Sequence, residues 1–194
     1  MNRVVKIALI LIGILGITCY GIRVWKINKN VDLPKIQIYE KGEKVPYEKD
    51  FIGNSAYSCE GYSIQVLDRQ VFTGEEFKEK YDVEVPQERH YDFYYTVDVK
   101  IYNDNVTLDE EEGISLWNIY LKSKNDFIIP EATMTVQINS LPGISFSLRP
   151  ESDMDVTIIY TMNDIYYEDI NEVKNTKYRL MITEYPVMKL LEIE

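Results

Sequence analysis

The sequence predicts an all-β domain, an antiparallel two-sheet sandwich of seven to nine short strands with one short helix, carried behind a single N-terminal transmembrane helix. Three observations predict it. Alternation of apolar and polar residues with period two recurs through most of the chain beyond residue 60, longest at Phe93–Ile101. The sixteen tyrosines outnumber Phe and Trp together, and with Ile, Val and Thr they suit a pleated, half-buried surface. Turn residues separate the alternating runs, with no βα repeat that would require a parallel sheet. A small closed barrel is the other arrangement these observations allow.

The first element is the helix. Ile7–Ile22 carries no charge, and the apolar run extends from Val4 to Trp25 once Lys6 and Arg23 snorkel. That run rises about 33 Å at ~1.5 Å per residue, enough to cross a hydrocarbon core of roughly 30 Å. Tyr20 and Trp25 stand near its far end, where aromatic rings favour the membrane interface. A cleaved signal peptide is the competing reading, because the segment is N-terminal, starts with bases and has a short uncharged core. No Ala-x-Ala pattern follows, although Cys19-Tyr20-Gly21 has small residues at that spacing. Lipidation of Cys19 fits less well, since Gly16-Ile17-Thr18 lacks the leucine and small residue expected before such a cysteine. Bases flank both ends, so loop charge does not set the orientation. An apolar N-terminal helix ahead of a long soluble domain usually acts as an uncleaved export signal, which puts the N-terminus inside and the domain outside. The chain therefore divides into an anchor at 1–29, a stalk with a first edge strand at 30–60, and the sandwich at 61–194.

In the stalk, only Lys35 to Tyr39 alternates. Tyr62, Ile64 and Val66 open the next strand, and the phase slips at Leu67, which predicts a bulge. Thr73 and Glu76 have capping-box spacing and Phe72 and Phe77 that of a hydrophobic staple, so Thr73 is the expected N-cap of the one short helix. Phe93–Ile101 is the clearest strand, ended by the turn residues Asn103-Asp104-Asn105. Ile114–Lys122 is apolar on both faces and reads as a central strand. Met134, Val136 and Ile138 alternate, Leu141-Pro142-Gly143 turns, and Ile144, Phe146 and Leu148 alternate again, which reads as a hairpin. Met154 to Tyr160 and Tyr178 to Ile182 are further strands, and Pro186 implies an edge or a bulge before Val187–Ile193.

Charge narrows the partners. Five of the 21 basic residues lie in the first thirty positions, which hold none of the 32 acidic ones. The domain beyond is strongly acidic and repels phosphate backbones, so no nucleic-acid partner is expected. Of the two cysteines, Cys19 lies in the membrane run, so no disulfide with Cys59 is expected, and Cys59 reads as a small buried residue.

The sequence has no phosphate-binding glycine loop, zinc-spaced Cys/His set or nucleophile elbow. The single histidine, His90, has no identifiable nucleophile partner and reads as an exposed turn residue. Asp104, Asp109, Glu110, Glu111 and Glu112 form an acidic loop, 104–112, whose spacing differs from a calcium-binding EF-hand and reads as a charged connection. Asn105-Val106-Thr107 formally matches a glycosylation sequon. No catalytic, cofactor-binding or metal residue is assigned, and no cofactor is expected.

Gly61-Tyr62-x-Ile64-x-Val66, Glu75-Glu76-Phe77 with Tyr81, the Phe93–Ile101 strand and Leu148-Arg149-Pro150 leading to Val156 and Tyr160 carry a resemblance. The chain resembles small, signal-anchored, extracytoplasmic proteins of Gram-positive bacteria with immunoglobulin-like domains, belonging to uncharacterised families. The likeness implies a sandwich and a location outside the cell membrane. The architecture is immunoglobulin-like without the Cys, Trp, Cys spacing of antibody domains. The expected function is a membrane-tethered binding or interaction module, not an enzyme, with a protein or cell-envelope polymer as partner. Two other readings stand beside it: an accessory subunit of a membrane transporter or secretion complex, and an envelope hydrolase with carboxylate catalysts.

Overall fold

A computed structural model describes residues 2–29, 33–53, 59–83, 93–107, 113–124, 126–163 and 165–194. The chain forms two units, Met1–Leu33 and Pro34–Glu194. The first is one helix, α1 (Arg3–Lys29), long and apolar enough to cross a membrane. Thr18 Oγ1 donates to Ile14 O at 2.9 Å, so this hydroxyl in its apolar stretch finds a partner within the helix. Lys29 lies 5.0 Å from the ring centroid of Trp25 at the far end.

The second unit runs β1 (Lys35–Tyr39), β2 (Val45–Pro46), β3 (Tyr62–Thr73), α2 (Gly74–Tyr81), β4 (Phe93–Asn103) and β5 (Ile114–Ser115). A single 3-10 turn at Leu116–Asn118 follows, then β6 (Tyr120–Lys122), β7 (Phe127–Ile128) and α3 (Ala132–Asn139). The chain ends with β8 (Ser145–Phe146), β9 (Ser152–Met162), α4 (Ile170–Asn175), β10 (Arg179–Thr183) and β11 (Val187–Glu192).

These make a β-sandwich. One sheet has the order β1-β11-β10-β6-β7, the other β2-β3-β4-β9, and β5 and β8 form a short ribbon. Pairing is antiparallel except between β1 and β11. Alternate residues of β4, Tyr95, Val97, Val99 and Ile101, meet Leu121, Leu180, Ile182 and Leu191 of the facing sheet in one core. Tyr95 and Tyr178 pack edge to face across it with centroids 5.4 Å apart. The β3–β4 register shifts between Val66 and Asp68, which places the expected bulge at Leu67. Thr73 caps α2 with a reciprocal capping box to Glu76, and Phe72 packs on Phe77 at 6.2 Å.

Four expectations need correction. Among the described residues there are eleven strands, because several runs read as one element are split and short strands such as β2, β5 and β7 carry no pattern of their own. Ile114–Lys122 is not one central strand but β5, a 3-10 turn and β6. Met134–Ile138 is helical, so the hairpin with Ile144–Leu148 does not form and β8 pairs with β5 instead. α3 lies against the outer face of β9: Met134 and Ile138 join Phe77, Tyr94 and Ile159 there, while Ala132 and Val136 reach the main core. A helix buried on two sides satisfies alternate apolar residues as well as a strand does. Pro186 marks neither an edge nor a bulge in its own strand: it precedes β11, which lies between β1 and β10, and its carbonyl accepts the Lys35 N–H at 3.1 Å. A bulge does interrupt the β10–β11 pair, between Met181 and Thr183.

Candidate functional site

β9 is the outer strand of its sheet, and an open strand edge invites pairing with another chain. α3 seals most of that edge. The Thr157 N–H donates to Asn139 Oδ1 at 2.8 Å, and Asn139 Nδ2 donates to Thr157 O at 2.8 Å. The Ile159 N–H donates to Thr135 Oγ1 at 3.1 Å, and the Glu131 N–H to Ile159 O at 2.7 Å. Strand period two gives Thr161 the same outward backbone orientation as 157 and 159. The helix begins at Ala132, whose preceding residue already caps Ile159, so Thr161 lies past its end.

There the surface opens into a groove of about 830 Å³, bounded by Thr161 and Met162 of β9 on one side and Phe127 and Ile128 of β7 on the other. β7 is itself the outer strand of the five-stranded sheet, so the groove lies where the two sheets each end. Its apolar groups are partly bare to solvent: Phe127 is 54% exposed, Ile129 56% and Tyr166 78%. Lys124, Lys177, Asp126 and Glu172 bring charges of both signs to it.

Local hydrogen bonds set the walls. Ser123 and Asp126 close the β6–β7 turn reciprocally, with Ser123 Oγ donating to Asp126 Oδ2 at 2.8 Å and the Asp126 N–H donating to Ser123 Oγ at 3.0 Å. Asp169 caps α4 by accepting the N–H groups of Asn171 and Glu172, and the helix buries Val173 in the core. At the inner end, the hydroxyls of Tyr167 and Tyr178 meet at 2.6 Å. Burial raises the pKa of both phenols, and for Tyr178 the shared hydrogen bond raises it further. Both therefore remain protonated at neutral pH and work as hydrogen-bonding groups, with no tyrosinate to act as a base.

The residues singled out from the sequence lie elsewhere. Cys59 packs against the core and donates to Gly113 O at 3.2 Å, and burial pushes its pKa up to about 11, so it is an inert thiol. Asp104 accepts from Lys44 Nζ at 2.7 Å and from Ser63 Oγ at 2.9 Å, which commits its carboxylate to the fold. Asp109–Glu112 and His90 fall outside the described residues. Among the described residues no group of three His, Cys, Asp or Glu side chains is placed to hold a metal. Val106 of the sequon stands 77% exposed at the end of β4 opposite the groove. Sequence reasoning missed the groove, and the available signal was the run Ile165-Tyr166-Tyr167 between polar residues.

Residues 36–189 match the family model described as domain of unknown function DUF5028. Among solved structures, the chain is similar to the yjhA protein from Bacillus subtilis, with 9% identity and a TM-score of 0.41 over 80% of this chain and 99% of that one. It is also similar to an uncharacterised β-sandwich protein from Clostridium difficile, with 11% identity and a TM-score of 0.44 over 85% of this chain and 99% of that one. No curated protein matches the chain.

Proposed function

We propose, for a chain that belongs to the DUF5028 family through residues 36–189, a role as a membrane-tethered, extracytoplasmic binding module that takes an extended protein segment in the groove between β7 and β9. One observation carries this reading: α3 seals the edge of β9 at Thr157 and Ile159 and begins short of Thr161, beside which lies a groove with both apolar and charged walls. A polypeptide in extended form matches the spacing of strand N–H and C=O groups, and its alternate side chains would lie on Phe127, Ile129 and Tyr166. The mixed charges at Lys124, Lys177, Asp126 and Glu172 would then fix register more than affinity. In this reading the domain binds without turnover. Among the described residues, the carboxyl groups with displaced pKa values, Asp68, Glu76, Asp104 and Glu192, are held below the usual range, which lends no support to a hydrolase needing a protonated acid.

The test is a photo-crosslinking residue placed at Phe127 or Tyr166 of the full chain in living cells, with Val106 as the control position. A reproducible protein adduct from the first two and not from Val106 is the expected result. An adduct removed by a cell-wall hydrolase but not by protease would replace the protein segment with an envelope polymer. Adducts from none of the three, or equally from all, would overturn the reading.

A further inference from the structure

Lys189 lies in the middle of β11 with no exposed surface, and β11 directs its side chain into the space between the sheets. Its Nζ is 2.7 Å from Pro46 O, 3.1 Å from Tyr47 O, 2.6 Å from Glu48 Oε2 and 2.8 Å from Asp50 Oδ2. The Asp50 side chain is 7% exposed and that of Glu48 65% exposed. An ammonium has three hydrogens, and four acceptors surround this one, of which Tyr47 O also accepts the Asp50 N–H.

The segment bearing the two acids is held from both sides. The Tyr47 N–H donates to Tyr62 O at 2.9 Å, the Asp50 N–H donates to Tyr47 O at 3.2 Å, and Phe51 pairs with Tyr185 just before β11. Nucleophile and acyl group therefore meet in one fixed geometry, which replaces a bimolecular encounter by an intramolecular one. In water an amine and a carboxylic acid remain ions because water solvates both charges. Burial removes that solvation, and a buried ion pair recovers only part of the cost.

We propose that Lys189 and Asp50 condense into an intramolecular isopeptide bond, with Glu48 as the proton carrier. Glu48 takes a proton from the ammonium and passes one to the Asp50 carboxyl. The lone pair of the Nζ amine then attacks Asp50 Cγ, an Nζ–Cγ bond forms, and the Cγ–O bond breaks with its electron pair on oxygen. Two protons of the original ammonium leave with that oxygen as water. Ammonium plus carboxylate become a neutral amide plus water, with no change in net charge and no other reactant. The exposed face of Glu48 lets the water and its protons escape. The bond would join the segment after β2 to β11, tying the first part of the domain to the last.

Tandem mass spectrometry of peptides from the purified full-length chain tests this. A branched peptide joining Asp50 to Lys189, lighter than its two parts by one water and uncut by trypsin after Lys189, is expected. Asp50→Ala should abolish it. Glu48→Gln should accumulate the two linear peptides while keeping the wild-type circular dichroism spectrum. Two linear peptides from folded wild-type chain, or loss of water without the branched peptide, would overturn the proposal and leave an ion pair only. Because the groove plays no part in this chemistry, its failure leaves the proposed binding role untouched.

Discussion

Arg179 donates to Glu192 Oε1 through both Nε and Nη2, at 2.9 and 2.8 Å, and Lys177 Nζ lies 3.3 Å from Oε2. Burial raises the pKa of this carboxyl, but the two cations outweigh it and hold it below its ordinary value of 4.5. A depressed carboxyl stabilises the fold fully above its unfolded pKa and loses that contribution as pH falls through the folded one. Wild type should therefore be more stable than Glu192→Gln by about 1 kcal/mol near neutrality, the partial exposure of the bases limiting the effect. Thermal unfolding followed against pH should show the gap closing below 4.5, and a gap that stayed constant into acid would refute the assignment. Residues of this kind divide by how local their cause is. The capping box of Thr73 and Glu76 was legible because both partners sit within one helical turn. Lys189 was not, since its partners at 46–50 are far away in sequence and a lysine in a strand normally marks a solvent face.

Among the elements, α3 works as the cover of the β9 edge, and Asn139 is its key side chain because it bonds Thr157 through both its amide oxygen and its nitrogen. Asn139→Ala would leave a strand N–H and C=O without those partners, at a cost of roughly 1–3 kcal/mol. It would also lengthen the open edge beside the groove, so the variant should unfold at lower urea and associate with rising concentration. Urea melts and sedimentation equilibrium check both; an unchanged midpoint in a strictly monomeric variant would show that the edge needs no seal. The long strands β4 and β9 were legible because each keeps period two over many residues, and β3 because its alternation at Tyr62, Ile64 and Val66 slips once, at the bulge. α3 was misread because its short run has apolar neighbours on both sides, in the outer cluster and in the main core. The groove was illegible for a related reason: it is built from strand ends and connections, where pattern carries no signal and only the meeting of two sheet edges creates a site.

For the whole molecule, the acidic domain and the bare helix α1 constrain each other. With its described side chains exposed, α1 needs a bilayer or an equivalent apolar surface to be stable. The chain should therefore sediment with membranes, resist extraction by high salt or alkaline carbonate and dissolve only in detergent. Shortening α1 by deleting Ile10–Leu15 should release it, because the remaining apolar length falls below the roughly 30 Å a span requires. Basic residues stand at both ends, so charge alone does not orient the helix, and orientation decides which partners can reach the groove. A tag at the C-terminus, followed in intact protoplasts treated with protease beside a cytoplasmic control, separates the two cases. Loss of the tag with the control intact is the expected result, and it leaves the Thr161 edge open to secreted and envelope proteins. Protection of the tag would put the groove in the cytoplasm, and the crosslinking search at Phe127 and Tyr166 would have to be directed to cytoplasmic proteins.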